Sequence, residues 1–219
     1  MENNSAVIKL DNVGILFRRG KGRGAVRDLV NSLLRRHQGM RGRVDGPFWG
    51  LKGVSLDVRR GETVGIVGDN GSGKTTLLKL ISRIYQPTEG RIETRGRITA
   101  LLELGTGFHE ELTGRDNVFL YGTILGLKNK EIKNIYESIV EFSEIGPFMD
   151  TPLKRYSSGM KVRLGFSVAV HLKPDILLLD EVLGVGDWRF RLKSFRAMQE
   201  KKREGVTILL VSHNLSEIQ

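Results

Sequence analysis

The chain has 219 residues, 39% of them apolar and 27% charged, which suits one large soluble domain with a full core. It contains no cysteine, which excludes a disulfide framework and a thiolate metal site and makes the cytoplasm the simplest compartment. No apolar run reaches the length of about eighteen residues that a membrane span needs, and the start, MENNSAVIKL, lacks a basic segment followed by an apolar one, so neither a crossing helix nor a signal peptide is expected. The net charge of +10 is uneven: between Arg18 and Asp45, nine Lys or Arg stand against only Asp28 and Asp45. Such a block suits nucleic acid, anionic lipid or a phosphorylated ligand, and charge alone does not choose among them.

Val7 to Phe17 alternates enough to read as an edge strand closed by Phe17. An aromatic in that place either fills a core, the commoner use, or offers a face to an adenine ring. The glycine- and arginine-rich RRGKGRGAVRD follows as a loop, and Val26, Leu29, Val30, Leu33 and Leu34 then recur at helical spacing, predicting a short basic amphipathic helix that ends at Gly39 to Pro47. Phe48 and Trp49 lead into a second strand, Leu51 to Val58, and the turn RRGE.

Thr63 to Ile81, TVGIVGDNGSGKTTLLKLI, reads as a buried strand, a glycine-rich loop and a helix. Gly68, Gly73, Lys74 and Thr75 match G-x-x-x-x-G-K-[ST], with Gly71 additional, directly after the apolar Val64 to Val67. Glycines let successive backbone N–H groups turn inward on an anion, the helix beginning near Lys74 aims its positive end there, and the lysine adds a mobile cation. Thr75 would supply a hydroxyl to magnesium.

Gln86 to Gly90 makes a turn, and RIETRGRITALLEL reads as a hairpin with Gly96 at its tip. Leu112 to Leu127 and Glu131 to Phe142 carry helical periodicity, and after Pro152 and the polar Ser157, Ser158 and Gly159 another helix is expected from Met160 to His171. Ile176 to Leu179 is a strand ending in Asp180 and Glu181, and Thr207 to Val211 a last buried strand ending at Ser212 and His213. Strands alternating with helices, a phosphate loop after one strand and acidic residues after another, describe a parallel α/β sheet with its ligand at the strand C-terminal ends.

The apolar ILLLDE has the form of a Walker B element: Asp180 would reach magnesium through a water, and Glu181, facing the other way, would orient a water for in-line attack on a γ-phosphate. The plainer alternative is an acidic pair capping a strand. Between the two elements lies YSSGMKVRLGFSVAV, and here the chain resembles an ABC-type ATPase over nearly all its length. The motifs are GDNGSGKT as Walker A, YSSGM in place of the usual LSGGQ signature, ILLLDE as Walker B, GVGD at Gly184 to Asp187 as the D-loop, and VSH with His213 as the switch histidine.

The resemblance implies an α/β P-loop NTPase with a mainly parallel core sheet, an N-terminal antiparallel β portion, a helical subdomain at about 104–172 and a basic insertion at about 18–47 within one ABC ATPase domain. It implies ATP and Mg2+ as cofactors, held by Phe17, Gly68, Asp69, Asn70, Gly71, Ser72, Gly73, Lys74, Thr75 and Thr76, with Thr75 and Asp180 toward the metal and Lys74, Glu181 and His213 acting in hydrolysis. It also implies a head-to-tail dimer in which Ser157, Ser158 and Gly159 of one subunit face the γ-phosphate held by the other. Two departures stand out: Ser158 replaces the first signature glycine, and the Q-loop glutamine is missing, with Glu103 the nearest polar candidate for touching the metal, its water or a coupling surface.

The basic insertion before FWGLKGVSL, the LLELGTGFHEELTG segment and YSSGM together look like the subgroup serving O-antigen and teichoic-acid exporters. That likeness implies a separate transmembrane permease subunit, a peripheral place on the cytoplasmic face of the inner membrane, and a lipid-diphosphate-linked polysaccharide near residues 26–37, where the arginines suit a diphosphate. Similar proteins continue past the point equivalent to Gln219 with at least a strand and a helix, so the usual C-terminal end of the domain is expected to be absent. An alternative is a soluble ABC-type ATPase acting on nucleic acid or ribosomes. Such proteins usually carry two ATPase domains or a long coiled coil, so no nucleic acid partner is expected.

Overall fold

The computed structural model describes residues 5–18, 46–102, 104–180 and 187–212. In chain order its elements are β1 (Ala6–Phe17), β2 (Phe48–Arg59), β3 (Thr63–Val67), α1 (Lys74–Ile81), β4 (Glu89–Thr94), β5 (Ile98–Leu101), α2 (Gly114–Ile124), α3 (Asn129–Ser143), α4 (Ser158–Val170), β6 (Ile176–Asp180), α5 (Trp188–Arg203) and β7 (Thr207–Ser212). They build two sheets, a three-stranded antiparallel one ordered β2-β1-β4 and a four-stranded parallel one ordered β3-β7-β6-β5.

Two expectations are corrected. β1 is the central strand of its sheet and not an edge: it pairs with β2 from Ala6↔Arg59 to Phe17↔Phe48 and with β4 from Ile8↔Thr94 to Gly14↔Glu89. Alternation along a strand reports which face is buried and says nothing about how many neighbours it has. The segment around Gly96 is not a hairpin either, because β4 joins β1 while β5 runs parallel to β6 in the other sheet. The crossing is pinned at Arg97, whose N–H donates to Asp175 Oδ2 at 2.7 Å and whose carbonyl accepts from Asp175 and Ile176.

Strands β6 and β7 are buried on both faces, as crossover helices require, whereas β3, expected to be a buried strand, ends the sheet order with Val67 41% exposed. Ile176 and Leu178 of β6, with Leu209 and Val211 of β7, meet α1 and the antiparallel sheet in one core. Their alternate neighbours Leu177, Leu179, Ile208 and Leu210 face α4 and α5 in a second. Each such side chain is worth about 1.5–3 kcal/mol of burial, so both layers are firmly attached to the sheet. A third core, centred on Val118, Tyr121, Ile132, Ile139, Leu153 and Leu164, holds α2, α3 and α4 together.

Helix α5 has no counterpart in the sequence reading. It buries only Phe190, Ser194, Ala197 and Met198, and its first turn is opened by Asp187, whose carboxylate accepts from the Phe190 N–H at 3.0 Å. Helix α2 opens on a reciprocal cap between Thr113 and Asp116. Just inside it, Asn117, fully buried, accepts from the His109 N–H at 2.7 Å and donates to the carbonyls of His109, Leu112 and Thr113. One side chain thereby satisfies the loop that enters the helical layer.

Candidate nucleotide site

The strands β3, β7 and β6 end side by side, with Val67 paired to Ser212 and Asp180 paired to Val211. The loop after β3 and the carboxylate closing β6 therefore open on the same edge of the sheet, where α/β proteins hold ligands. In that loop the Ser72 N–H bonds the Asp69 carbonyl at 3.1 Å, and Gly73, at φ 97°, turns the chain into α1. A Cβ on Gly73 would stand 2.6 Å from Leu51 Cδ2 and 2.8 Å from the Gly50 carbonyl oxygen, so both the backbone angle and the close approach to β2 demand glycine. Lys74 Nζ donates to the carbonyls of Gly68 at 2.7 Å and Asp69 at 2.9 Å, drawing the loop around its own ammonium and leaving a third donor hydrogen. The first turn of α1 adds N–H groups without intrahelical partners.

A cleft of about 530 Å3 opens here. It is lined by Asn70, Gly71, Gly73, Lys74, Thr75 and Thr76 of the loop and helix start, by Phe17, Phe48 and Gly50 of the antiparallel sheet, and by Leu102 and Asp180. Phe17 lies 5.6 Å from Phe48 between ring centroids at 34°, and meets Tyr85 edge-on at 5.7 Å and 76°. A cationic, N–H-rich lining and an aromatic one in the same cleft are matched by a ligand with a planar ring at one end and phosphates at the other. Hydroxyl and carboxylate oxygens from Thr75 and Asp180 are hard donors of the kind magnesium takes alongside phosphate oxygens.

Of the residues expected at this site, Phe17, Asn70, Gly71, Gly73, Lys74, Thr75, Thr76 and Asp180 line one cleft, with Gly68, Asp69 and Ser72 completing the loop behind it. Glu103, Glu181, His213 and the helix expected over Val26 to His37 lie outside the described residues. Phe48, Gly50 and Leu102 carry no sequence signal of the site; Phe48 only leads into a strand, and its pairing opposite Phe17 brings it to the cleft.

Ser157, Ser158 and Gly159 do not line that cleft. Ser157 caps α4, its hydroxyl accepting from the Met160 N–H at 3.2 Å. Ser158 is the first helical residue and is not among the described residues with positive φ, so this position makes no demand for the freedom of glycine. A Cβ on Gly159 would meet only Ser157 Oγ, at 3.8 Å. Both serines are exposed, and the helix start points its free N–H groups outward.

A P-loop and an acidic strand end on a parallel sheet, with aromatic rings brought to them by the antiparallel one, define a nucleotide-binding protein of the P-loop class. The chain belongs to the ABC transporter family, whose model matches residues 51–184. It is 47% identical over 194 residues to the O-antigen export system ATP-binding protein RfbB of Klebsiella pneumoniae, covering 89% of this chain and 78% of that one. Over all 219 residues it is 46% identical to RfbB of Myxococcus xanthus, spanning 50% of that protein, and over 172 residues 50% identical to the teichoic acids export ATP-binding protein TagH of Enterococcus faecalis, spanning 38% of it. The chain thus spans half or less of those two longer relatives. A dimeric post-hydrolysis ATP-binding cassette bound to ADP and Pi superimposes with a TM-score of 0.73 at 21% identity, over 96% of this chain and 90% of the other, which establishes the shared fold.

Proposed function

We propose that this chain is the ATP-binding and hydrolysing subunit of an exporter that moves a lipid-linked polysaccharide, of the O-antigen or teichoic-acid type, across the cytoplasmic membrane. The observation that carries the reading is the convergence of Phe17, the Gly68–Thr76 loop and Asp180 on one cleft, in a chain 47% identical to an O-antigen export ATP-binding protein. The relatives favour this over an ATPase working on nucleic acid or ribosomes.

In this reading the adenine lies against Phe17 and the phosphates sit in the loop under Lys74 and the α1 N-terminus. Thr75 and Asp180 take Mg2+, directly and through water. Glu181 orients the attacking water and accepts its proton, while His213 contacts the γ-phosphate. A second copy, head to tail, places Ser157, Ser158 and Gly159 on the γ-phosphate held by the first. Among the described residues no helix is long and apolar enough to cross a membrane, and in this reading a separate permease supplies the path while this subunit sits on its cytoplasmic face. Arg27, Arg35 and Arg36 then face the diphosphate of the incoming glycolipid.

The test is complementation of a deletion strain, scored by surface polysaccharide and by ATPase of the purified exporter. Wild type restores both, Glu181→Gln binds ATP but neither hydrolyses nor exports, and Lys74→Ala loses nucleotide affinity. Undiminished surface polysaccharide in the deletion strain would overturn the export reading, and wild-type turnover by Glu181→Gln would overturn the catalytic assignment.

A further inference from the structure

A second cleft, of about 250 Å3, opens where the start of α3, the residues after α4 and the crossing into β5 meet. Strand β6 begins beside it and runs to Asp180, so the two clefts lie about one strand length apart, roughly 13 Å, and share no residue. The volume is below the about 300–1,000 Å3 of clefts that take drug-sized ligands, so its occupant is small.

Two cations line it. Arg97 is exposed at the crossing, and its one side-chain bond among the described residues, from Nη2 to the Leu125 carbonyl at 3.4 Å, leaves most of its donor hydrogens uncommitted. Lys173, also exposed, makes no hydrogen bond or ion pair with any described residue. The main chain keeps their segments together: the Arg97 N–H donates to Asp175 Oδ2 at 2.7 Å, and the Asp175 N–H donates to the Arg97 carbonyl at 3.0 Å. Asp175 is engaged by Arg60 at 3.9 Å and does not line the cleft.

The rest of the lining is of another kind. Glu131, in the first turn of α3, accepts from the Lys128 N–H through Oε2 at 2.7 Å, which holds the carboxylate and leaves Oε1 as an acceptor. Asn134, also on α3, is exposed with its amide uncommitted among the described residues. His171 bonds the Ser167 carbonyl through Nδ1 at 2.7 Å; a carbonyl only accepts, so Nδ1 carries the hydrogen and the neutral ring offers Nε2 as an acceptor. Burial first, then Lys201 and Lys193, hold His171 below its ordinary value against the Ser167 bond, which keeps the ring neutral. Leu127 and Ile135 supply the apolar part.

We propose that this cleft binds a small phosphorylated sugar, its phosphate on Arg97 and Lys173, its hydroxyls on Glu131, Asn134 and His171, and the C–H face of its ring on Leu127 and Ile135. A bare anion answers the two cations but meets the Glu131 carboxylate, and a neutral sugar leaves both cations unanswered. A ligand carrying both parts uses the whole lining. The site stands apart from the export reading, because none of these residues lines the nucleotide cleft.

The test follows the His171 ring signal in NMR spectra of the full-length protein, identified by its loss in His171→Gln. Reading that ring separates this cleft from the phosphate loop, which a phosphorylated probe also meets. Glucose 6-phosphate is expected to shift the signal saturably with a Kd of about 0.3 mM, the value for about sixteen non-hydrogen atoms of ordinary efficiency. Glucose and inorganic phosphate are each expected to bind at least about tenfold more weakly, and Arg97→Gln and Lys173→Gln each to weaken glucose 6-phosphate about tenfold. Asn134→Ala is expected to weaken it about threefold and to leave inorganic phosphate unaffected. All three substitutions are at exposed positions, so the fold is expected to hold. A His171 signal that stays in place up to about 10 mM glucose 6-phosphate would overturn the site. Inorganic phosphate binding as tightly as glucose 6-phosphate would overturn the sugar assignment, and wild-type affinity in both Arg97→Gln and Lys173→Gln would overturn the phosphate placement.

Discussion

The ring of Phe17 lies so close over the backbone of Gly50 that a Cβ added there would come 2.4 Å from Phe17 Cε2. Glycine on β2 is therefore what lets the last side chain of β1 lie down and form the aromatic wall of the cleft. Gly50→Ala should push the ring off its seat. Because a ring stacking contact is worth about 0.5–1.5 kcal/mol, ATP affinity is expected to fall about three- to tenfold while affinity for inorganic triphosphate holds. Equal losses for both ligands in calorimetric titration would mean that the substitution disturbs the phosphate loop instead.

Ser157 has a local duty and a proposed distant one, and two substitutions separate them. Ser157→Ala removes the cap on the Met160 N–H and is expected to cost about 1 kcal/mol of stability with ATP-driven dimerisation retained. Ser157→Arg places a long side chain at an exposed helix start and is expected to prevent dimerisation while the monomer stays folded. Light scattering with ATP that shows equal dimer formation by wild type and Ser157→Arg would remove Ser157 from any subunit interface.

Asn117 is a stability prediction independent of nucleotide. Its amide satisfies three carbonyls and its oxygen accepts from the His109 N–H, all shielded from water. Asn117→Leu fills similar volume but leaves those groups unpaired, at a cost of about 3 kcal/mol. For a chain of this size the melting temperature should drop by about 6–12 °C. A drop under about 2 °C would show that the loop re-forms its bonds without this side chain.

At alkaline pH the helical layer should weaken through Tyr156. Its hydroxyl, 6% exposed as a residue and donating to the Phe148 carbonyl at 2.7 Å, is pushed up to about 12 by burial from an ordinary value of 10.0. The folded state keeps its proton more tightly than the unfolded one, so this contribution is complete below pH 10.0 and is lost as pH rises towards about 12. Urea melts are expected to show stability falling over that window, and falling less steeply in Tyr156→Phe, which starts lower for want of the hydrogen bond. Parallel slopes would place the loss in Tyr121 and Tyr136, which burial also raises.

The phosphate loop, the acidic end of β6 and the alternation of strand with helix are all legible in the chain, because each is a local pattern. The run from Thr63 to Ile81 encodes its own turn through Gly71 and Gly73, and its helix follows from the residues next in line. Family resemblance added roles for residues that spacing alone leaves silent, Phe17 among them. The sheet order, the separation of β4 from β5, and the seat of Phe17 over Gly50 depend on which distant strands pair, and alternation records only the buried face. Helix α5 shows no clear apolar period in the sequence because just four of its residues are buried and its remaining surface is dominated by arginine and lysine. The contacts of Arg163 with both Glu144 and Asp187 are not legible in the sequence for a related reason. Glu144 follows α3, Arg163 is on α4 and Asp187 caps α5, each charge fits an exposed position in its own segment, and only the packing of the three helices brings the two carboxylates to one guanidinium.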